Sequence, residues 1–416
     1  MAYSPRVIDT QLKEALGVLG AVVIEGPRAC GKTSTALQFS KSSVRFDTDE
    51  NAKELANQSP ESLLQGETPR LFDEWQLAPI MWNHVRRAVD ERQRNGQFIL
   101  TGSAMVPPDQ SRHPGTGRFI RLTMRPMSLF ESGLSDGSVS LGAMLQGDPL
   151  TGAMGTLSLN DVIEGLCRGG WPGFADYPTK QSLAANKAYL ADVLDHDFSS
   201  IRQTRNPTRV GKVVKSLARH VSTEVSLRRI ASDVMGDGNE SIKPDTVSDY
   251  LDALRQMMIT ESLQPWVGHL RSRSALRKSE KRYFVDPSLA VAALGATPQK
   301  LLADLKTVGF LFENLVIRDL LVYADSLDAS LSHYRDSDSR EVDVIVSAPG
   351  GQHLAIEIKL GNVSVDQAAK NLLRFRDNLA DPEERNSMHL AVITSGTASY
   401  QRKDGVNVVS IAHLGP

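Results

Sequence analysis

The residues able to do chemistry in this chain fall into two groups. The first opens at Gly26, in "GPRACGKT". Its spacing fits G-x-x-x-x-G-K-[ST], with Gly26, Gly31, Lys32 and Thr33 at the fixed positions. Glycines let backbone N–H groups turn toward phosphate oxygens, a lysine reaches the β- and γ-phosphates, and a threonine hydroxyl holds Mg²⁺. Pro27, Arg28, Ala29, Cys30 and Ser34 complete the loop and the turn after it. The loop follows the apolar run "AVVIE" and opens a helix, whose positive end favours an anion. ATP and Mg²⁺ are the cofactors this pattern asks for. Further on, "RLFDEWQ" ends an apolar run in Asp73 and Glu74. Asp73 suits Mg²⁺ held through water, and Glu74 suits orienting or deprotonating an attacking water. "FILTGSA" adds Thr101 and Ser103, hydroxyls that either sense a γ-phosphate or cap a strand. Cys30 reads as a small buried thiol.

The second group lies in "EVDVIVSAPGGQHLAIEIK". This reads as a hairpin turning at "APGGQ". Pairing residues whose numbers sum to 700 sets Val342 opposite Ile358, Val344 opposite Ile356 and Val346 opposite Leu354. One face is then apolar, which fixes the register. The other face sets Asp343 opposite Glu357, with Lys359 two residues along. Facing carboxylates repel. Either a divalent cation between them or an ion network through Lys359 removes that cost. Glu313, on a preceding helix, is a third acid within reach.

The elements around these residues read as α/β. From residue 21 to about 125, "AVVIE", "VRF", "RLF" and "FILT" alternate with helical stretches, which argues a parallel sheet. Residues 157–295 read as mainly helical. Within them, two helices ("SLRRIASDVMG" and "SIKPDTVSDYLDALRQMMI") precede a strand hairpin, the layout of a winged helix. The second helix carries Asp245, Asp249 and Asp252 against Arg255 and is a poor reader of bases. The hairpin tip holds Arg271, Arg273, Arg277, Lys278, Lys281 and Arg282 against one acid, Glu280. That cluster suits phosphate contact without sequence reading; the plain alternative is a solvated loop. From about residue 300 the order is helix, three strands, helix, strand. The expected division is 1–150, 151–299 and 300–416.

The net charge of −2 excludes a globally basic nucleic-acid binder, so any such affinity is local. Two cysteines exclude a disulfide framework and a cysteine-built zinc site. No apolar run approaches the ~20 residues of a membrane helix. A cytoplasmic protein that does not engage the membrane is the expectation.

"GPRACGKT", "LFDEWQ" and "ILTGSA", with "GRFIRLTMRPMSLFE", "GGWPGF" and "EVDVIV…AIEIK", resemble one family across nearly the whole chain. It is the bacterial and archaeal family of AAA-type P-loop ATPases whose ATPase domain precedes a domain of unknown function. The resemblance implies that Arg118 is an arginine finger, with Arg125 as second candidate. A finger reaches a neighbour's ATP, so a homo-oligomer follows, a dimer at least or a ring such as a hexamer. Trp75 departs from the pattern, which has an aliphatic residue there. The Asp343, Glu357 and Lys359 hairpin is similar to the metal site of the PD-(D/E)XK nucleases, of restriction-endonuclease-like fold. In that family the acids hold Mg²⁺ and the lysine steadies the attacking hydroxide or the phosphate.

The reading that unites these features is an ATP-hydrolysing motor or switch acting on DNA, duplex or branched, without sequence preference. The C-terminal module would grip or cut. The alternative is a nucleotide-gated regulatory or defence switch whose C-terminal domain binds a protein partner.

Overall fold

The computed structural model describes residues 3–103, 114–197, 207–235, 242–267, 279–336 and 340–416. The chain divides into two compact units. One takes Met1–Pro126 and Gln256–Met258, the other Met127–Arg255 and Ile259–Pro416.

The first unit contains α1 (Ile8–Val18), β1 (Ala21–Glu25), α2 (Lys32–Phe39), β2 (Ser42–Arg45), α3 (Glu50–Gln58), α4 (Pro60–Leu63), β3 (Arg70–Asp73), α5 (Met81–Arg92), β4 (Phe98–Gly102) and β5 (Phe119–Thr123). The strands form one sheet in the order β2-β3-β4-β1-β5, and every pair is parallel. β1 and β4 are buried along their whole length. A strand covered on both faces reads as an unbroken apolar run, which is why both were visible in the sequence. β5 is an edge strand with mixed burial, and its alternating "FIRLT" was not among the expected strands. Two aromatic rows pack the sheet. Phe46, Phe72 and Phe98 follow one another at centroid distances of 6.1 and 5.9 Å. Trp75, Trp82 and Phe119 do so at 4.9 and 4.2 Å. The unexpected Trp75 is thus a core residue anchoring the turn that follows the two acids.

The second unit is built on a nine-stranded sheet. Its elements are β6 (Val139–Ser140), α6 (Leu141–Gln146), β7 (Ala153–Met154), α7 (Leu159–Arg168), α8 (Thr179–Asp192), α9 (Pro207–Arg219), α10 (Leu227–Met235), α11 (Pro244–Gln256), β8 (Thr260–Pro265), β9 (Lys281–Phe284), α12 (Pro287–Leu294) and α13 (Pro298–Leu302). Then come α14 (Leu305–Asp325), β10 (Ser330–Arg335), β11 (Glu341–Ser347), β12 (His353–Lys359), α15 (Val365–Asp377), α16 (Pro382–Asn386), β13 (Met388–Thr394), β14 (Ala398–Gln401), β15 (Asn407–Ser410) and β16 (Leu414–Gly415). The order across the sheet is β7-β14-β15-β13-β12-β11-β10-β8-β9.

The compact units do not follow the expected three-way division. β8 pairs in parallel with β10, so the hairpin of the middle segment extends the C-terminal sheet. β7 pairs with β14, and β6 with β16, so residues before and after 150 both belong to that unit. Element order and register within the C-terminal segment follow expectation. β11 and β12 are antiparallel, with Val344 opposite Ile356 and Val346 opposite Leu354. The second face of the hairpin is also covered, however: Ile345 and Ala355 are buried in a core shared with Val365, Ala369 and Leu372 of α15.

One buried cluster ties four distant segments together. The Arg318 guanidinium pairs with Asp286 at 2.9 Å and with Asp319 at 2.6 Å, and all three side chains are essentially inaccessible. Asp319 also accepts the Leu129 N–H at 3.0 Å, and Asp286 accepts the Gly170 N–H at 2.9 Å. "PMSLFE" and "GGWPGF" therefore serve packing in this unit. Gly170 lies so close to Met127 that a Cβ would sit 2.2 Å from its carbonyl oxygen. Removing one partner of a buried ion pair strands the others. Arg318→Leu should cost about 3–5 kcal/mol in urea unfolding; a loss below ~1 kcal/mol would show that the cluster contributes little.

Candidate functional site

The loop between β1 and α2 is shaped by its own backbone. Gly31 has φ 104°, a region that favours glycine, and Ala29 has φ 60°. Lys32 is buried, and its ammonium donates to the carbonyls of Gly26 at 3.0 Å and Pro27 at 2.8 Å. The loop thus folds over its own lysine. Cys30 is fully buried, with Sγ 3.5 Å from the Met124 carbonyl, as a small core thiol should be. Arg6 braces the loop by donating to the carbonyls of Cys30 and Arg125, both at 2.8 Å. The sequence reading did not single out Arg6, which lies outside the motif and carries no local signal.

Parallel pairing brings the ends of β1, β3 and β4 level. Asp73 is opposite Thr101, and Thr101 is opposite Ile24. Side chains then interleave between the two motifs. Thr33 donates to Asp73 Oδ1 at 2.8 Å, and Thr101 donates to the same oxygen. Ser103 donates to both oxygens of Glu74, at 2.9 and 3.1 Å. Gln76 donates from Nε2 to Glu74 Oε2. Glu74 itself has φ 52° and ψ 46°, left-handed backbone that a side chain rarely adopts. Such strain collects at functional sites. The expected residues Lys32, Thr33, Asp73, Glu74, Thr101 and Ser103 are all tied to the C-terminal ends of these strands, where α/β sheets bind ligands. They fit Mg–ATP: a helix N-terminus, an ammonium, and a hydroxyl already 2.8 Å from a carboxylate, the pair that would share a cation.

Arg118 lies at the other end of the sheet. β1 and β5 are parallel with Ala21 opposite Phe119, and the Ala21 N–H donates to the Arg118 carbonyl. The P-loop leaves the opposite end of β1, roughly 15 Å of strand away. The guanidinium pairs with Asp90 at 2.7 Å. Arg118 is therefore remote from its own P-loop, whereas Arg125 lies past the P-loop end of β5.

In the second unit, Asp343, Glu357 and Lys359 do come together, but with lysines between the acids. Lys359 Nζ lies 2.5 Å from Glu357 and 3.3 Å from Asp343. Lys281 Nζ lies 3.0 Å from Glu313 and 3.5 Å from Asp343. Asp343 also accepts the Ile358 N–H at 2.8 Å, and Tyr283 donates to Glu313 at 2.9 Å. Among the described residues no group of three or more His, Cys, Asp or Glu side chains is arranged to hold a metal ion. Of the two expected options, a cation between Asp343 and Glu357 with Glu313 near or an ion network through Lys359, the contacts are those of the network, with Lys359 and Lys281 beside the acids. Lys281 and Arg282 also need correction as phosphate contacts. Lys281 is buried in this network, and Arg282 is turned inward to Glu280, at 3.2 Å, and to the Val225 carbonyl. Arg271, Arg273, Arg277 and Lys278 lie outside the described residues.

Residues 20–132 match the family described as AAA domain. Residues 159–300 match a domain of unknown function (DUF8612), and residues 308–414 match another (DUF4143). The match to an AAA domain toward the N-terminus and to a domain of unknown function toward the C-terminus supports an AAA-type ATPase. An AAA domain implies nucleotide binding, usually with Mg²⁺. The chain is similar to the uncharacterized proteins Rv2008c of Mycobacterium tuberculosis and Mb2031c of Mycobacterium bovis. Identity to each is 24% over 368 residues, 86% of this chain and 74% of the relative. Among the described residues no helix is long and apolar enough to cross a membrane.

The ion network has a pH signature. Burial and the charge of Asp343 push Glu357 up to about 8, and burial pushes Glu313 up to about 7. Burial also acts on Asp343, but Lys281 and Lys359 outweigh it and hold that carboxyl below its usual range. Unfolded, a glutamate titrates near 4.5. Between that value and about 8 the folded state holds more protons, so stability falls as pH rises. Glu357→Gln should flatten this fall in urea unfolding followed across the window. An unchanged slope would mean that Glu357 does not titrate as its surroundings dictate.

Proposed function

We propose that this chain is an ATP-hydrolysing motor or switch working on DNA, whose C-terminal segment grips and does not cut. The observation that carries the ATPase part is the interleaving of Thr101 and Ser103 with Asp73 and Glu74 beside the Lys32 loop. Bound Mg–ATP would supply the phosphoanhydride whose hydrolysis drives the cycle. Lys32 and the N-terminus of α2 would hold phosphate, Thr33 and Asp73 the cation, and Glu74 would orient and deprotonate water. The position of Arg118, away from its own loop, favours a finger acting on a neighbouring copy, hence a homo-oligomer, ring or dimer.

Two features support nucleic acid as the partner. α9, α10, α11 and the β8–β9 hairpin run in winged-helix order, with a bridge from Thr223 to Arg282 closing the small sheet. The C-terminal segment runs α14-β10-β11-β12-α15 and, after the short α16, β13, the order expected of a restriction-endonuclease-like fold. Grip is favoured over cleavage because lysines neutralise the acids a nuclease would use for metal. The same neutralisation keeps the protein-binding switch as second reading.

ATPase rate and binding to single-stranded, duplex and four-way DNA, measured with Mg²⁺ over a salt series, would separate these readings. Lys32→Ala should abolish turnover, and Glu74→Gln should bind ATP yet turn over poorly. Arg118→Ala mixed with the Lys32 variant should regain activity if the site is shared. DNA affinity should fall steeply with salt. Tight nucleotide binding with negligible DNA affinity would sink the DNA reading, and wild-type turnover in either P-loop-site variant would sink the ATPase reading.

A further inference from the structure

Gln76 has no role in the reading so far, yet it is built into the site. It lies in the short 3-10 turn Trp75–Leu77 directly after Glu74. Its Nε2 donates to Glu74 Oε2, the oxygen that also takes the longer of the two Ser103 contacts. Its Oε1 is buried and, among the described residues, has no hydrogen-bond partner. Leaving a buried carbonyl unpaired is costly, so this amide is held by what its other end does. A leucine would fill the same space without that cost.

Gly102 makes the arrangement possible. A Cβ there would lie 2.8 Å from Gln76 Oε1 and 3.2 Å from Trp75 Nε1. The three residues of "TGS" thus divide the work: Thr101 holds Asp73, Ser103 holds Glu74, and Gly102 stays small so that Gln76 can reach Glu74.

We infer that Gln76 is a positioning residue for the glutamate base. Its amide and the Ser103 hydroxyl together fix both carboxylate oxygens, and the left-handed turn at Glu74 is held from below by the packed Trp75. Orientation of a base is worth much: a misplacement of about 1 Å can cost ~10²-fold in rate. The inference deepens the ATPase reading and rests on Glu74 being the base.

The test is the ATPase kcat and KM of Gln76→Leu, with the affinity for a non-hydrolysable ATP analogue. Expected are a kcat about tenfold lower or more, and a KM and analogue affinity within about twofold of wild type. Gly102→Ala, which displaces the Gln76 side chain and leaves Glu74 intact, should move kcat in the same direction. The deciding measurement is single-turnover phosphate release in a Glu74→Gln background. A residue acting through Glu74 adds no further loss there, whereas a merely structural one lowers both backgrounds alike. Equal losses in both backgrounds, or an unchanged or raised kcat in Gln76→Leu, would overturn the inference. Wild-type turnover of Glu74→Gln alone would instead remove the reading of Glu74, and the inference with it.

Discussion

The first unit depends on a level alignment of strand ends. Because β3, β4 and β1 run parallel with Asp73, Thr101 and Ile24 in register, three motifs far apart in sequence finish at one height. A shift of one residue would turn Thr101 and Ser103 away from the acids, since alternate residues on a strand face opposite sides. The aromatic rows at the core protect this register. Phe72 and Phe98 pack side by side on neighbouring strands, and Trp75 locks the turn after the acids onto Trp82. Large rings in fixed geometry resist sliding better than small aliphatic groups do. Trp75 is a departure in the motif, but its effect is to stiffen the site.

The charged groups of the site pair with one another. Lys32 is held by loop carbonyls, Thr33 by Asp73, and Glu74 by Ser103 and Gln76. Each of these contacts stands where phosphate, cation or water would compete. Internal pairing of this kind orders a charged cleft in advance, so fewer side chains must be fixed when a ligand binds. The second unit shows the same economy carried further: Lys281 and Lys359 sit among Glu313, Asp343 and Glu357 so closely that the acids answer to ammonium groups of the chain itself.

Much of this was legible from the sequence, for a physical reason. The P-loop, the two acids and the hydroxyls are local patterns at strand ends, and buried parallel strands announce themselves as apolar runs. The β11–β12 register was readable because β-branched residues alternate on one face. What escaped was non-local. β5 escaped because its outer edge is polar. Arg6 and Gly102 escaped because their role lies in contacts made across the fold. Lys281 was misread because most charged residues near it in sequence are cations, while its neighbours in space are Glu313 and Asp343. A charge run says nothing about which member turns inward. Hydrogen bonding between β8 and β10 likewise joins segments that composition separates.

That shared sheet limits how the chain can be cut. A fragment beginning near residue 300 would expose the edge of β10 that β8 covers. It would also remove Lys281 from its carboxylates and Asp286 from Arg318. An open, unpaired strand edge invites association with other chains. The smallest portable piece carrying the C-terminal hairpin therefore begins near Met127, and the hairpin cannot be lent to another protein without the helices before it.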